Sequence, residues 1–154
     1  MYSNLVVNGC SYMQAYADGG GHCDLAKQLG IPNSQSLAIG GSANTRIIRT
    51  ALKHSYQATE PTFYVLGMTF LSRLEVPILK DLSEFEGRWA NPQNQEFKER
   101  WEHNWTEEDS KLFVEIKLKT EVYSILDRLE DLQYRILSCI HDLRSRGHGV
   151  LVYQ

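Results

Sequence analysis

Apolar residues fall into short runs and helical stripes that alternate along the chain. Leu5-Val6-Val7 is the first run. It is short and unbroken, as in a strand buried on both faces. The turn Asn8-Gly9-Cys10-Ser11-Tyr12 follows, then a loop, Ala17-Asp18-Gly19-Gly20-Gly21. Cys23 to Leu29 reads as a short helix with Leu25 and Leu29 on one face, stopped by Gly30 and Pro32. Ser36-Leu37-Ala38-Ile39 reads as a second strand running into Gly40-Gly41-Ser42-Ala43-Asn44. Ala43, Ile47, Ile48, Ala51 and Leu52 then fall at helical spacing, which predicts a helix over 43–57 with Ser42 as its N-cap. Phe63-Tyr64-Val65-Leu66 is a third strand, closed by Gly67.

After Gly67 the pattern weakens. Residues 68–105 hold Trp89, Trp101 and Trp105 and read as an excursion with short helices, inside a single domain of 1–154. Thr106-Glu107-Glu108-Asp109 looks like a capped helix start. Val122, Ile125, Leu129, Leu132, Ile136, Ile140 and Leu143 step by three and four. They predict a long amphipathic helix over 117–146, capped by Gly147. Val150-Leu151-Val152-Tyr153 is a fourth strand.

Strands alternating with helices imply an α/β fold, a three-layer α/β/α arrangement around a parallel sheet. Right-handed crossovers make the flavodoxin-like order 2-1-3-4 the simplest topology. That order gathers the carboxyl ends of the first three strands around one crevice, bordered by Ser11, Gly41 and Thr69.

Composition narrows the picture. The 154 residues are 42% hydrophobic and 23% charged, enough for a packed core. The net charge of −3 argues against nucleic acid as a partner. No window approaches the ~18–20 apolar residues of a membrane span. The first strand begins at once, without room for a signal peptide. Cys10, Cys23 and Cys139 form no CxxC pair and cannot all pair internally, which points to a reducing, cytoplasmic setting. His, Cys and carboxylates show no zinc spacing, and no cofactor motif is present. Gly19-Gly20-Gly21 before a helix has the look of a phosphate loop, but lacks the Lys-Ser/Thr of a P-loop and the GxGxxG spacing.

Three places at strand ends resemble the SGNH (GDSL-like) hydrolases. Gly9-Cys10-Ser11 resembles their Gly-Asp-Ser block, with cysteine for aspartate. Ile39-Gly40-Gly41-Ser42-Ala43-Asn44 resembles the second block, whose glycine N–H serves the oxyanion hole and maps to Gly41. Val65-Leu66-Gly67-Met68-Thr69 sits where Gly-x-Asn-Asp belongs, with Thr69 for the asparagine. The stretch from Gly41 to Ile47, with Arg73 and Glu75, looks most like small SGNH-like proteins of phages and marine bacteria. The resemblance covers roughly residues 4–75. It implies Ser11 as nucleophile, with Gly41 and Thr69 in the oxyanion hole. The family's last block, Asp-x-x-His after a fifth strand, has no counterpart in this sequence. The chain thus looks like a member cut short, or one completed by something else.

A serine nucleophile needs a base, and an oxyanion needs aimed donors. The donor half is present in the sequence and the base half is missing. His22 lies nearest to Ser11 in sequence, and the glycines before it offer a way to fold it over the site. The other histidines read as surface or capping residues. Asn44 belongs to the second block. Arg73 and Glu75 serve equally as polar-substrate contacts or as an ion pair. Turn and packing roles are the plain alternatives for Ser11 and Cys10.

Two functions are therefore carried forward. One is a serine hydrolase acting on an acyl ester or an acetylated carbohydrate. The other is a non-catalytic binding or structural protein on the same fold, such as a phage component. The apolar fourth strand, with no fifth beside it, predicts a homodimer through that edge or the long helix.

Overall fold

The computed structural model describes residues 1–40, 42–69, 76–77, 89–90 and 125–154. In chain order the elements are β1 (Asn4–Asn8), α1 (Ser11–Asp18), α2 (Gly21–Gln28), β2 (Asn33–Ser36), α3 (Asn44–Gln57) and β3 (Thr62–Gly67). Then come β4 (Val76–Pro77), β5 (Trp89–Ala90), α4 (Ile125–Ser145) and β6 (Gly149–Tyr153). The main sheet has four strands in the order β2-β1-β3-β6, all parallel. This is the order 2-1-3-4 of a flavodoxin-like three-layer α/β fold. No helix among the described residues is long and apolar enough to cross a membrane.

The strand sequences explain the layers. Side chains alternate between faces along a strand. Leu5, Val7 and Val65 meet Met13 and Ala17 of α1, Ala26 of α2, and Ile31. Val6, Tyr64 and Leu66 meet Ile47, Ile48 and Ala51 of α3 and Leu132, Cys139 and Leu143 of α4. The central strands are therefore apolar on both faces, which is why they read as continuous runs rather than alternations. Gly147 closes α4 at φ 81°, as the sequence pattern required.

Four elements differ from the sequence reading. The stretch after Ser11 is not a turn leading to a loop. It forms α1, an eight-residue helix held to the core by Met13 and Ala17, one turn apart. Tyr12 and Tyr16 point outward and mask the stripe in the sequence. The second strand is Asn33–Ser36, not 36–39. As an edge strand it needs backbone pairing more than apolar side chains. Leu37 and Ile39 still donate N–H bonds to Val7 and Gly9 of the neighbouring strand segment, at 2.8 and 3.3 Å. Ser42 does not cap α3. The N-cap is Ala43, and the Ser42 hydroxyl donates instead to the Ile39 carbonyl at 2.6 Å. Within the expected excursion the described residues show an antiparallel pair, β4 with β5. Residues 117–124 of the expected long helix, and the capped start at 106–109, lie outside the described residues.

One polar side chain sits fully inside this apolar frame. Asn8, at the carboxyl end of β1, is completely buried. Its amide nitrogen donates to the Ile47 carbonyl at 2.9 Å and the Thr50 hydroxyl at 2.8 Å. Its carbonyl accepts the Gly9 N–H at 2.9 Å. Two of these bonds tie the central strand to α3, and the third fixes the chain as it leaves the sheet. Asn8→Ala removes them and leaves the Gly9 N–H and Thr50 hydroxyl without that partner. We expect a loss of about 1–3 kcal/mol, read as a lowered urea midpoint with unchanged slope.

Candidate active site

In a parallel sheet of this order, chain connections leave in opposite directions from β1 and β3, and the crevice lies beyond their carboxyl ends. Ser11 follows β1 there and Thr69 follows β3. Chain packing around Ser11 is close. A Cβ on Gly9 would lie 2.5 Å from Met13 Cγ and 3.0 Å from the Gly67 carbonyl. One on Gly67 would meet Met13 Cγ at 2.8 Å and Tyr153 Oη at 3.0 Å. Met13 thus fills a slot that exists because both neighbours are glycine. The Tyr153 hydroxyl donates to the Met13 sulfur. This slot draws the first turn of α1 against the ends of β1, β3 and β6.

Ser11 is the first residue of α1 and is exposed. The first bond of the helix ladder runs from the Gln14 N–H to the Cys10 carbonyl at 2.9 Å. The N–H groups of Ser11, Tyr12 and Met13 therefore precede the ladder and have no acceptor within it. No acidic residue stands in that turn and no side chain caps it. The positive end of the helix is uncompensated there by any residue of its own first turn. Cys10, extended at the N-cap, is buried.

A second segment comes up beside Ser11. Gly40 packs on it: a Cβ built there lies 3.7 Å from Ser11 Cβ. The Gly40 N–H donates to Gln14 Oε1, one turn along α1. Arg46 holds the same segment from behind, donating to the Leu37 carbonyl at 3.3 Å and to Ser42 Oγ at 3.1 Å. Tyr12 and Ile39, the chain neighbours of Ser11 and Gly40, are exposed at 80% and 52%. Gly41, next in this segment, lies outside the described residues.

Asn44 and Thr69 are brought together. Asn44 Oδ1 accepts the Thr69 N–H at 2.7 Å, and Asn44 Nδ2 donates to the Thr69 carbonyl at 2.9 Å. Both residues are buried. Asn44 is thereby a clamp that holds the end of β3 to the first residue of α3. The Thr69 backbone is occupied by it. Arg73 and Glu75 lie outside the described residues.

Histidines take other partners. His22 Nε2 stands 3.6 Å from Cys23 Sγ. His54 Nδ1 pairs with the Tyr64 hydroxyl at 2.8 Å, and its Nε2 meets the Gln35 amide. His148 Nδ1 accepts the Thr62 N–H at 3.1 Å, at the far end of β3. His141 is exposed on α4. Among the described residues no histidine is hydrogen-bonded to Ser11. The described residues also contain no group of three His, Cys, Asp or Glu able to hold a metal ion. Gly19 and Gly20 form the turn between α1 and α2, and Gly21 opens α2, its carbonyl accepting the Tyr16 hydroxyl at 2.5 Å.

Sequence reasoning passed over two residues of this site. Gln14 had a usable signal, since three positions after Ser11 puts it on the same helix face. Tyr153 had none, because the last residue of an apolar run reads as packing. Burial raises the Tyr153 hydroxyl above its ordinary range, and the nearby Cys10 and Tyr16 add to this. The phenol therefore remains protonated as a donor near neutral pH. No protein family, curated protein or solved structure matches the chain.

Two expected outcomes follow from these contacts. Asn44→Ala leaves the buried Thr69 N–H unpaired, and we expect about 1–3 kcal/mol of destabilisation in chemical denaturation. His54 is held below its ordinary value, first by burial and then by its electrostatic interaction with His148. Its protonation is easier in the unfolded chain, so the stability it contributes is present above about pH 6.5 and is lost as pH falls below it. Thermal melts from pH 7.5 to 5 should show a falling Tm, with a shallower fall in His54→Gln.

Proposed function

We propose that the chain carries a serine ester-hydrolase site of the SGNH type, acting on an acyl ester or an acetylated carbohydrate. Ser11 is the nucleophile. The observation that carries this reading is its position: an exposed serine as the first residue of α1, beyond the carboxyl end of β1, in the turn whose N–H groups precede the helix ladder. Attack by Ser11 Oγ on an ester carbonyl creates an oxyanion, and backbone N–H groups at such a place stabilise it. Ser11 N–H and Gly41 N–H are the donors in this reading, with the Thr69 hydroxyl as the third. Tyr12 and Ile39 favour an apolar acyl or aryl part in the substrate. In this reading the described histidines supply no general base to Ser11.

The second reading is a binding protein on the same fold. It is favoured by the partners of His22, His54 and His148, none of which is Ser11. The same N–H groups would then hold an anionic or carbonyl group without breaking a bond.

A fluorophosphonate probe separates the two. We expect a slow, stoichiometric adduct on Ser11, located by peptide mass mapping and absent from Ser11→Ala. Turnover of p-nitrophenyl acetate should be low, because without a base the serine stays protonated and only donor and binding effects remain, worth about 10³–10⁴ over water in enzymes stripped of their triad. A chain whose Ser11 takes no adduct is the binding protein.

A further inference from the structure

Helix α4 is apolar on two sides. Leu132, Cys139 and Leu143 are buried in the core it shares with the sheet and α3. A second set stays in solvent: Tyr134 is 63% exposed, Leu137 62% and Leu129 38%. With Glu130 and Gln133 these three line one groove on the helix surface. A lone exposed leucine is ordinary, but three large apolar side chains within about two turns make a patch. The patch is turned away from α3. Arg146, whose N–H still bonds in helical fashion to the Asp142 carbonyl, stacks on Tyr56 of α3 with its guanidinium carbon 3.7 Å from the ring centroid. Leu137 precedes it by nine residues, which at about 100° per residue puts it on the opposite side of the helix.

Charge along this side is arranged around Leu137. Glu130 lies seven residues before it and Arg144 seven after, both exposed. Seven residues are close to two turns, so the three side chains share one line along the helix. Asp131 and Asp142 have partners within the helix, Arg135 at 2.6 Å and Arg146 at 3.0 Å. Among the described residues Glu130 and Arg144 have no ion-pair partner. A line that runs acid, apolar, base is complementary to a reversed copy of itself. A parallel copy would set Glu130 against Glu130 and Arg144 against Arg144. The edge of β6 offers no such code, since Gly149–Tyr153 carries no charge that would set a partner's direction or register.

We propose that this face of α4 seats a second copy of the chain, with the two helices antiparallel about a two-fold axis at Leu137. Leu137 then meets the partner's Leu137, and Tyr134 lies beside the partner's Ile140. Glu130 faces the partner's Arg144, and the symmetry repeats that ion pair at the other end. Helices packed in this way have axes about 8–10 Å apart, within reach of both side chains. The apolar centre supplies the attraction, and the flanking charges fix direction and register. The face uses none of the groups around Ser11, so it stands or falls apart from the hydrolase reading.

Sedimentation velocity on the full chain, over about a hundredfold range of concentration, tests this. We expect a dimer that dissociates on dilution. Leu137→Glu should abolish it, and Arg144→Glu, which turns both ion pairs into repulsions, should raise the dissociation constant about tenfold. The double variant Glu130→Arg with Arg144→Glu should restore the dimer, because acid again faces base. That rescue separates docking from a role in helix stability, since the swapped charges oppose the helix dipole and would then make the double variant the worst of the set. Urea midpoints show which variants fold, and the charge variants serve alone if Leu137→Glu does not. A monomer at every concentration, a dimer unchanged in the folded single variants, or a folded double variant that stays monomeric overturns the proposal.

Discussion

The fold depends on a carboxamide in an apolar place. Asn8 belongs to the central strand, and every bond its side chain makes leaves that strand. Ile47 and Thr50 lie in the first two turns of α3, so the helix is set against the sheet at one depth and one rotation. The Gly9 N–H, bonded back to the same side chain, starts the sharp exit toward α1. A buried amide satisfied at both ends specifies one arrangement, because any other would strand its polar atoms away from water. Hydrophobic contact alone would tolerate α3 sliding by a turn.

Asn44 repeats the device one strand over. It ties the end of β3 to the start of α3, as Asn8 ties the end of β1 to the helix middle. The two strands whose ends frame the crevice are thus pinned to the same helix. On the opposite face Met13 lies in the slot between Gly9 and Gly67, under the Tyr153 hydroxyl. Ser11 rides on the helix that this slot positions. Its surroundings are therefore fixed from both faces of the sheet, by amide bonds on one and close packing on the other.

How much of this was legible in the sequence follows from which forces act at each place. Buried strands announce themselves, since Leu5-Val6-Val7 and Phe63 to Leu66 must be apolar on both faces. The strand order followed from alternation and handedness. Edge strand β2 was misplaced because its pairing is made by backbone, and Asn33-Ser34-Gln35-Ser36 carries no apolar mark. Helix α1 was missed because only Met13 and Ala17 face the core, too few to show a period. Ser11 was legible as a strand-end serine after a glycine. The role of Asn44 was not, because its partner is the backbone of Thr69, and backbone partners leave no trace in side-chain type. The same holds for Asn8. His22 was read through its nearness to Ser11 in the chain, and the turn of α2 carries its ring to Cys23 instead.

Asn8 followed by Gly9 has a further meaning in chemical time. Asparagine before glycine is the dipeptide in which the next backbone nitrogen most readily closes on the side chain and expels ammonia, leaving aspartate or isoaspartate. Here ring closure would require the strand to surrender its extended backbone and the departing nitrogen to break from Ile47 and Thr50. Complete burial keeps out the water that finishes the reaction. The residue that organises the sheet is thus protected by the order it creates.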